Sequence, residues 1–163
     1  MLQVGDPAPD FTLLDHTGRE VTLSALRGQP VVLYFYPRDN TPGCTKEACS
    51  FRDRYAQLQA ANALLFGIST DTAQSHQKFI TKYQLPFPLL CDPDAQVATL
   101  YESYGPKKFM GKEYVGIFRN TFLIDAEGIL RRIYRQVKPE PHPEQVLRDM
   151  LSLQESLNAT EEK

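Results

Sequence analysis

Two cysteines, Cys44 and Cys49, stand five positions apart in the stretch YPRDNTPGCTKEACSF that begins at Tyr36, and the chain has three cysteines in all. Thr41-Pro42 is a helix start signal: threonine is a favoured N-cap and proline a favoured first helical residue. Cys44 then lies in the first turn, where backbone N–H groups lack partners and the macrodipole is positive. Such a place favours the thiolate, the reactive form of cysteine. First-turn positions after Pro-Gly are usually exposed, which argues against Cys44 as a core residue. Cys49, beside Ala48, reads equally well as a small buried apolar side chain.

Three cysteine chemistries can be weighed. A C-x-x-C redox pair spans three positions, not five. That also argues against a general disulfide reductase. A zinc site wants four ligands, often with C-x2-4-C spacing, and Cys91, His16, His76 and His142 are scattered. A Cys–His hydrolase needs a histidine base. His16 falls in a turn, His76 in a helix and His142 between two prolines, and each reads as a surface residue. A cysteine activated by a helix terminus and an arginine instead suits attack on a weak O–O bond, leaving a sulfenic acid.

The elements that must position these residues alternate in type. Val4 to Gly28 reads as extended pieces around the turn Asp15-His16-Thr17-Gly18. Pro30 to Tyr36 is a β-branched and aromatic run, a buried strand ended by Pro37. A helix follows from Pro42 to about Ala60 with Ala48, Phe51, Tyr55 and Leu58 at helical spacing. Leu64–Ser69 reads as a strand. Thr72–Tyr83 reads as a helix with Asp71 as N-cap. Phe87–Cys91 is a short strand and Asp94–Tyr101 a short helix. Residues 105–116 read as a loop whose Lys107, Lys108 and Lys112 are solvated. Thr121–Asp125 and Ile129–Tyr134 form a hairpin, and Pro143–Leu157 is an amphipathic helix with a frayed tail over 158–163. Early alternation predicts parallel pairing and the late hairpin antiparallel pairing. The fold class is α/β, a mixed sheet with helices on both faces, in one domain over residues 1–157.

Composition bounds the rest. The chain is 163 residues long, 42% hydrophobic and 23% charged, with a formal net charge of -2 and a sequence pI near 5.9. That balance gives no reason to expect nucleic acid or an anionic membrane as partner. No apolar run reaches the length of a bilayer span, and no secretory signal is legible at Met1. A cytoplasmic, reducing setting is expected, where cysteine pairs are more often reactive than structural.

The run Pro37-Arg38-Asp39-Asn40-Thr41-Pro42-Gly43-Cys44 carries P-x-x-x-T-x-x-C, and the longer FYPRDNTPGCTKEACSFRD resembles the Q-type peroxiredoxins, or bacterioferritin comigratory proteins. GKEYVGIFRNTFLIDAEG, the opening GDPAPDFTLLDHTG and the LLCDPD segment are similar to the same family, so the resemblance spans nearly the whole chain. It implies a thioredoxin-like fold and thiol-dependent peroxidase activity on hydrogen peroxide and organic hydroperoxides. By motif it implies that Cys44 is the peroxidatic cysteine, that Pro37 shields it and that Thr41 hydrogen-bonds thiolate and peroxide. Arg119 of the FRNTF stretch matches the active-site arginine, Cys49 the resolving cysteine and Glu47 a supporting acid. The implied cycle is sulfenic acid, an intramolecular Cys44–Cys49 disulfide, and reduction by thioredoxin or a similar dithiol, in a monomer and without metal, haem or flavin. Cys91 reads as a core thiol. One tension follows: the Thr41 hydroxyl cannot fully serve as both N-cap and peroxide ligand. The rival reading is a non-catalytic thioredoxin-like binding module or chaperone, for which the combined motif has no physical need.

Overall fold

The computed structural model describes residues 1–161, with side chains to Glu155. In order the elements are β1 (Thr12–Asp15), β2 (Glu20–Thr22), a 3-10 turn (Leu23–Leu26), β3 (Val31–Phe35), α1 (Pro42–Ala60), β4 (Leu64–Ser69), α2 (Ala73–Tyr83), β5 (Leu89–Cys91), α3 (Gln96–Leu100), β6 (Tyr104–Phe109), β7 (Lys112–Ile117), β8 (Thr121–Ile124), β9 (Leu130–Tyr134) and α4 (His142–Glu161). Of the tail expected to fray, residues 158–161 carry α4 onward and 162–163 lie outside the described residues.

Seven strands form one sheet in the order β2-β1-β5-β4-β3-β8-β9. The β3–β4 and β4–β5 pairs are parallel, while β1–β2, β1–β5, β3–β8 and β8–β9 are antiparallel. The crossover helices force the parallel pairs and the short turns the antiparallel ones. All five residues of β3 are buried, which is why that run reads as continuously apolar rather than alternating. Val32, Tyr34 and Tyr36 face a core with Ala48, Phe51 and Leu58 of α1, Phe79 of α2 and Val146 and Met150 of α4. Val31, Leu33 and Phe35 face the opposite core, with Val97 and Ala98 of α3, Tyr101, and Ala8 and Phe11 of the N-terminal segment. This is the mixed α/β sheet with an N-terminal hairpin that the element order implies.

Two local expectations are corrected. Residues 105–116 are not a loop but most of the β6–β7 hairpin, a separate two-stranded sheet. Its turn is Met110-Gly111, both at positive φ (51° and 81°), the geometry that suits a two-residue hairpin. Methionine gives no turn signal, and the Gly- and Lys-rich flanks show no alternation. In α2 the cap is Thr72, whose hydroxyl accepts from Ser75 N at 3.1 Å. Asp71 instead accepts from Asp39 N and Ser69 Oγ.

Candidate active site

The loop from Tyr36 to Thr41 joins the carboxyl end of β3 to the first turn of α1. Thr41 is extended (φ -92°, ψ 158°) and Pro42 opens the helix, as their residue types demand. The Thr41 carbonyl accepts the first helical bond, from Thr45 N at 2.8 Å. Its hydroxyl makes no cap; it donates to the Arg38 carbonyl at 3.0 Å. The hydroxyl's lone pairs are therefore free of helix N–H groups, while its single proton is spent on the Arg38 carbonyl.

Cys44 is only 1% exposed, not the open first-turn residue expected. The physical reason is that its face of α1 is also the face of Ala48 and Phe51, which pack on β3. Arg119 completes the cover. Its Nη2 donates to Cys44 Sγ at 3.5 Å and its Nη1 to Glu47 Oε1 at 2.9 Å. Strand pairing delivers this arginine from 75 positions away. Tyr34 lies opposite Thr121 in the antiparallel β3–β8 pair, so the residues before β8 stand where β3 ends. Phe35 N donates to the Asn120 carbonyl at 2.8 Å, and Asn120 Nδ2 donates to Ser103 Oγ at 3.0 Å. Gly43 makes room: a Cβ there would meet Arg119 Nη2 at 3.1 Å and Pro139 at 3.4 Å.

Glu47 is fully buried, its Oε2 has no hydrogen-bond partner, and burial pushes its carboxyl up to about 7 against the opposing pull of Arg119. Burial alone would depress the Arg119 guanidinium, but the Cys44 sulfur and Glu47 hold it above the usual arginine value. The guanidinium thus lies between a sulfur and a carboxylate that both favour its charge. On the solvent side, Pro37 and Lys107 line one groove, and Lys107 and Arg119 line a neighbouring one. Lys107 is not a free solvated cation. It donates to the Ile117 carbonyl at 2.8 Å and lies over the Tyr114 ring.

Cys49 is half-buried on α1 and lines an open groove with Lys46, Asp53, Arg54 and Glu140; all three cysteines are free thiols. Cys91, at the end of β5, is half-buried, and burial first, then Asp39, Asp15 and Asp71, push its thiol up. The structure therefore brings Arg119 to Cys44 and Glu47 in the first turns of the helix that Thr41 precedes, with Cys49 on the same helix and Pro37 in the adjacent loop, lining a groove with Lys107.

The histidines differ from expectation. His76 and His142 are buried, at 0% and 3% exposure. His142 Nε2 pairs with Thr121 Oγ1 at 2.9 Å, and burial pushes its ring down to about 4. His76 is held by Asp39 and the Leu90 carbonyl. Sequence reasoning misread both because a histidine's burial depends on partners from other elements. It missed buried Asp39 altogether; the cluster of Ser69, which ends β4, with Asp71 and Ser75 beyond it was the available signal.

Known proteins place the chain as a whole in a family. The sequence model of the AhpC/TSA family matches residues 4–133. The chain is 47% identical over 149 residues to a putative peroxiredoxin bcp of Helicobacter pylori, covering 91% of this chain and 98% of that protein. It is 43% identical over 154 residues to peroxiredoxin Bcp of Bacillus subtilis, covering 94% and 98%. The structure of Xanthomonas campestris peroxiredoxin Q superposes with a TM-score of 0.85 at 34% identity, covering 93% and 96%. With the helix-terminal cysteine and its arginine in place, these matches show that the chain belongs to the AhpC/TSA family as a peroxiredoxin, a thiol-dependent peroxidase of thioredoxin-like fold.

Proposed function

We propose that the chain reduces hydrogen peroxide and organic hydroperoxides by a two-cysteine cycle carried on α1. The Cys44 thiolate attacks the distal peroxide oxygen. The O–O bond breaks, the sulfur is oxidised to a sulfenic acid, and the other oxygen leaves as water or an alcohol after taking a proton. The Cys49 thiol then attacks the Cys44 sulfur, water leaves, and an intramolecular disulfide remains. A thioredoxin-like dithiol reduces that bond by exchange, becoming a disulfide itself. The observation that carries this reading is the Arg119 fork, with one nitrogen on Cys44 and the other on Glu47. A fixed cation there stabilises the charge that develops on the peroxide oxygens. To bond the thiolate, the Thr41 hydroxyl turns its proton from the Arg38 carbonyl to the sulfur, and its lone pairs accept from the peroxide O–H; Pro37 limits water access, and Glu47 orients Arg119.

Residues 1–157 act as one unit, and the protein works as a monomer in the cytoplasm. None of the proposed steps uses a metal, haem or flavin. A non-catalytic binding module would have no use for a buried thiol held against a buried ion pair. The test is peroxide consumption in the presence of thioredoxin, its reductase and NADPH. Wild type turns over and Cys44→Ser does not; equal rates for the two would remove Cys44 from the mechanism.

A further inference from the structure

Beneath the loop that leads to Cys44 lies a buried polar cluster that the cycle above does not use. The Asp39 side chain is 3% exposed and that of His76 0%. Asp39 Oδ1 accepts from Tyr36 OH at 2.5 Å. Its Oδ2 accepts from Ser75 Oγ at 2.8 Å and from His76 Nδ1 at 2.7 Å. His76 Nε2 reaches the Leu90 carbonyl at 2.9 Å. A carbonyl can only accept, so Nε2 carries a proton; Nδ1 faces a carboxylate already bonded by two hydroxyls. The ring is thus held at both nitrogens, one on Asp39 and the other on the Leu90 carbonyl. The Asp39 backbone N–H donates to Asp71 Oδ2 at 2.8 Å, and Ser69 Oγ donates to the same oxygen at 2.7 Å. Asn40, at φ 59°, is held through its side chain by Tyr83 OH at 3.2 Å.

Ligand-type atoms of Asp39, Asp71 and His76 lie within 4.8 Å of one another. Asp39 Oδ2 and His76 Nδ1 are spent on each other, however, so the cluster reads as a hydrogen-bond network rather than a cation site. What it does mechanically is clear from its partners. It ties the middle of the Pro37–Thr41 loop to α2 through Ser75 and His76, to β4 through Ser69, and to β5 through Leu90.

We propose that Asp39 and His76 are positioning residues for the Cys44 reaction. They clamp the loop so that the Thr41 hydroxyl and the Pro37 ring stay in register with the sulfur while the neighbouring turns of α1 rearrange. This rests on Cys44 being the peroxide-attacking residue. A carboxylate with three donors around it is a stiff anchor, and small misplacements of groups around a reacting atom are costly in rate. Neither residue touches the sulfur, so thiolate chemistry that needs no Thr41 or Pro37 is unaffected.

The test measures two second-order rates for Cys44 in the same folded variants: oxidation by peroxide in stopped flow, and alkylation by iodoacetamide. His76→Leu and Asp39→Ala are expected to slow peroxide oxidation about 10- to 100-fold while alkylation stays at or above the wild-type rate. Asp39→Asn keeps the shape. Its carbonyl still accepts from Tyr36 and its amide reaches His76 Nδ1, while Nε2 still serves Leu90. It is expected to retain peroxide oxidation within about threefold of wild type. Should His76→Leu fail to fold, Tyr36→Phe removes a single hydroxyl from the anchor and is expected to slow peroxide oxidation about three- to tenfold. Equal losses in both rates, or no loss in either, would overturn the proposal, as would an Asp39→Asn as slow as Asp39→Ala. A wild type inert to peroxide would instead refute the peroxidase cycle itself.

Discussion

At the scale of single residues, Glu47 and Thr41 carry the sharpest tests. Glu47 is a buried acid whose folded-state value, about 7, lies above the ordinary 4.5. A raised acid binds its proton more tightly in the folded state. Its contribution is therefore neutral below about pH 4.5, becomes destabilising as pH rises to about 7, and stays constant above that. The difference in unfolding free energy between wild type and Glu47→Gln should change by about 3 kcal/mol over that window. Denaturant titrations at pH 4.5, 6 and 8 measure it; a difference independent of pH would mean Glu47 stays ionised throughout. Thr41 donates to Arg38 and caps nothing. Thr41→Val should thus cost peroxide reactivity of order 100-fold with little change in helix stability. Thr41→Ser, which keeps the hydroxyl, should stay within about threefold of wild type. A Thr41→Val protein that lost helix content instead would assign the hydroxyl to capping.

At the scale of the element, α1 is a helix that the proposed cycle must partly undo. Five residues along an α-helix give a rise of ~7.5 Å and a rotation of ~140°, placing the two Cα atoms about 8.6 Å apart on nearly opposite sides. A disulfide needs ~7 Å or less and facing Cβ vectors. Cys44 and Cys49 lie within the single helix Pro42–Ala60 as free thiols, so the bond cannot close without unwinding. Pro42, Gly43 and Thr45 at its start are poor helix propagators. The distal half is held by Phe51 and Leu58 in the core and by packing on α4. Oxidation by one equivalent of peroxide should raise amide exchange across residues 42 to 52 and lower helix content by circular dichroism. Exchange in α4 should change far less. Unchanged protection across 42 to 52 in the oxidised protein would refute the unwinding step.

At the scale of the whole molecule, the fold gathers reactive groups at the carboxyl ends of β3, β4 and β5. Cys44 stands just beyond β3 and Cys91 at the end of β5, whose pair Ser69 ends β4. Cys44 therefore has two possible disulfide partners, Cys91 at the same end of the sheet and Cys49 on its own helix, and their surroundings separate them. Burial and three nearby carboxylates disfavour a Cys91 thiolate, whereas Cys49 lies in an open groove of α1. Peptide mapping of the peroxide-oxidised protein should find Cys44 joined to Cys49 within one chain. Cys49→Ser should react once and then over-oxidise, and Cys91→Ser should turn over at nearly the wild-type rate. A Cys44–Cys91 bond, or a bond between chains, would overturn the assignment.

Much of this was legible in the linear order of residues, because it depends on local chemistry. The Thr41-Pro42 start, the buried run of β3, the α1 stripe and the alternation of strands and helices are short-range effects of capping, β-branching and periodicity. The motif through Cys44 points to the thiol proposed to react, and its resemblance to a family points to Arg119, which no spacing rule would single out. What remained hidden depends on partners distant in sequence. Cys44 is buried because Arg119 and the β3 face close over it. His76 and His142 are buried because Asp39, Leu90 and Thr121 come from other elements to satisfy them. The β6–β7 hairpin turns on a methionine at positive φ, which propensity does not foresee. Whether a polar side chain is a surface group or a buried anchor is decided by what the fold places opposite it, since burial without a partner costs more than the chain can spare. Sequence alone determined which atom could react; only the tertiary structure decided which groups hold it in place.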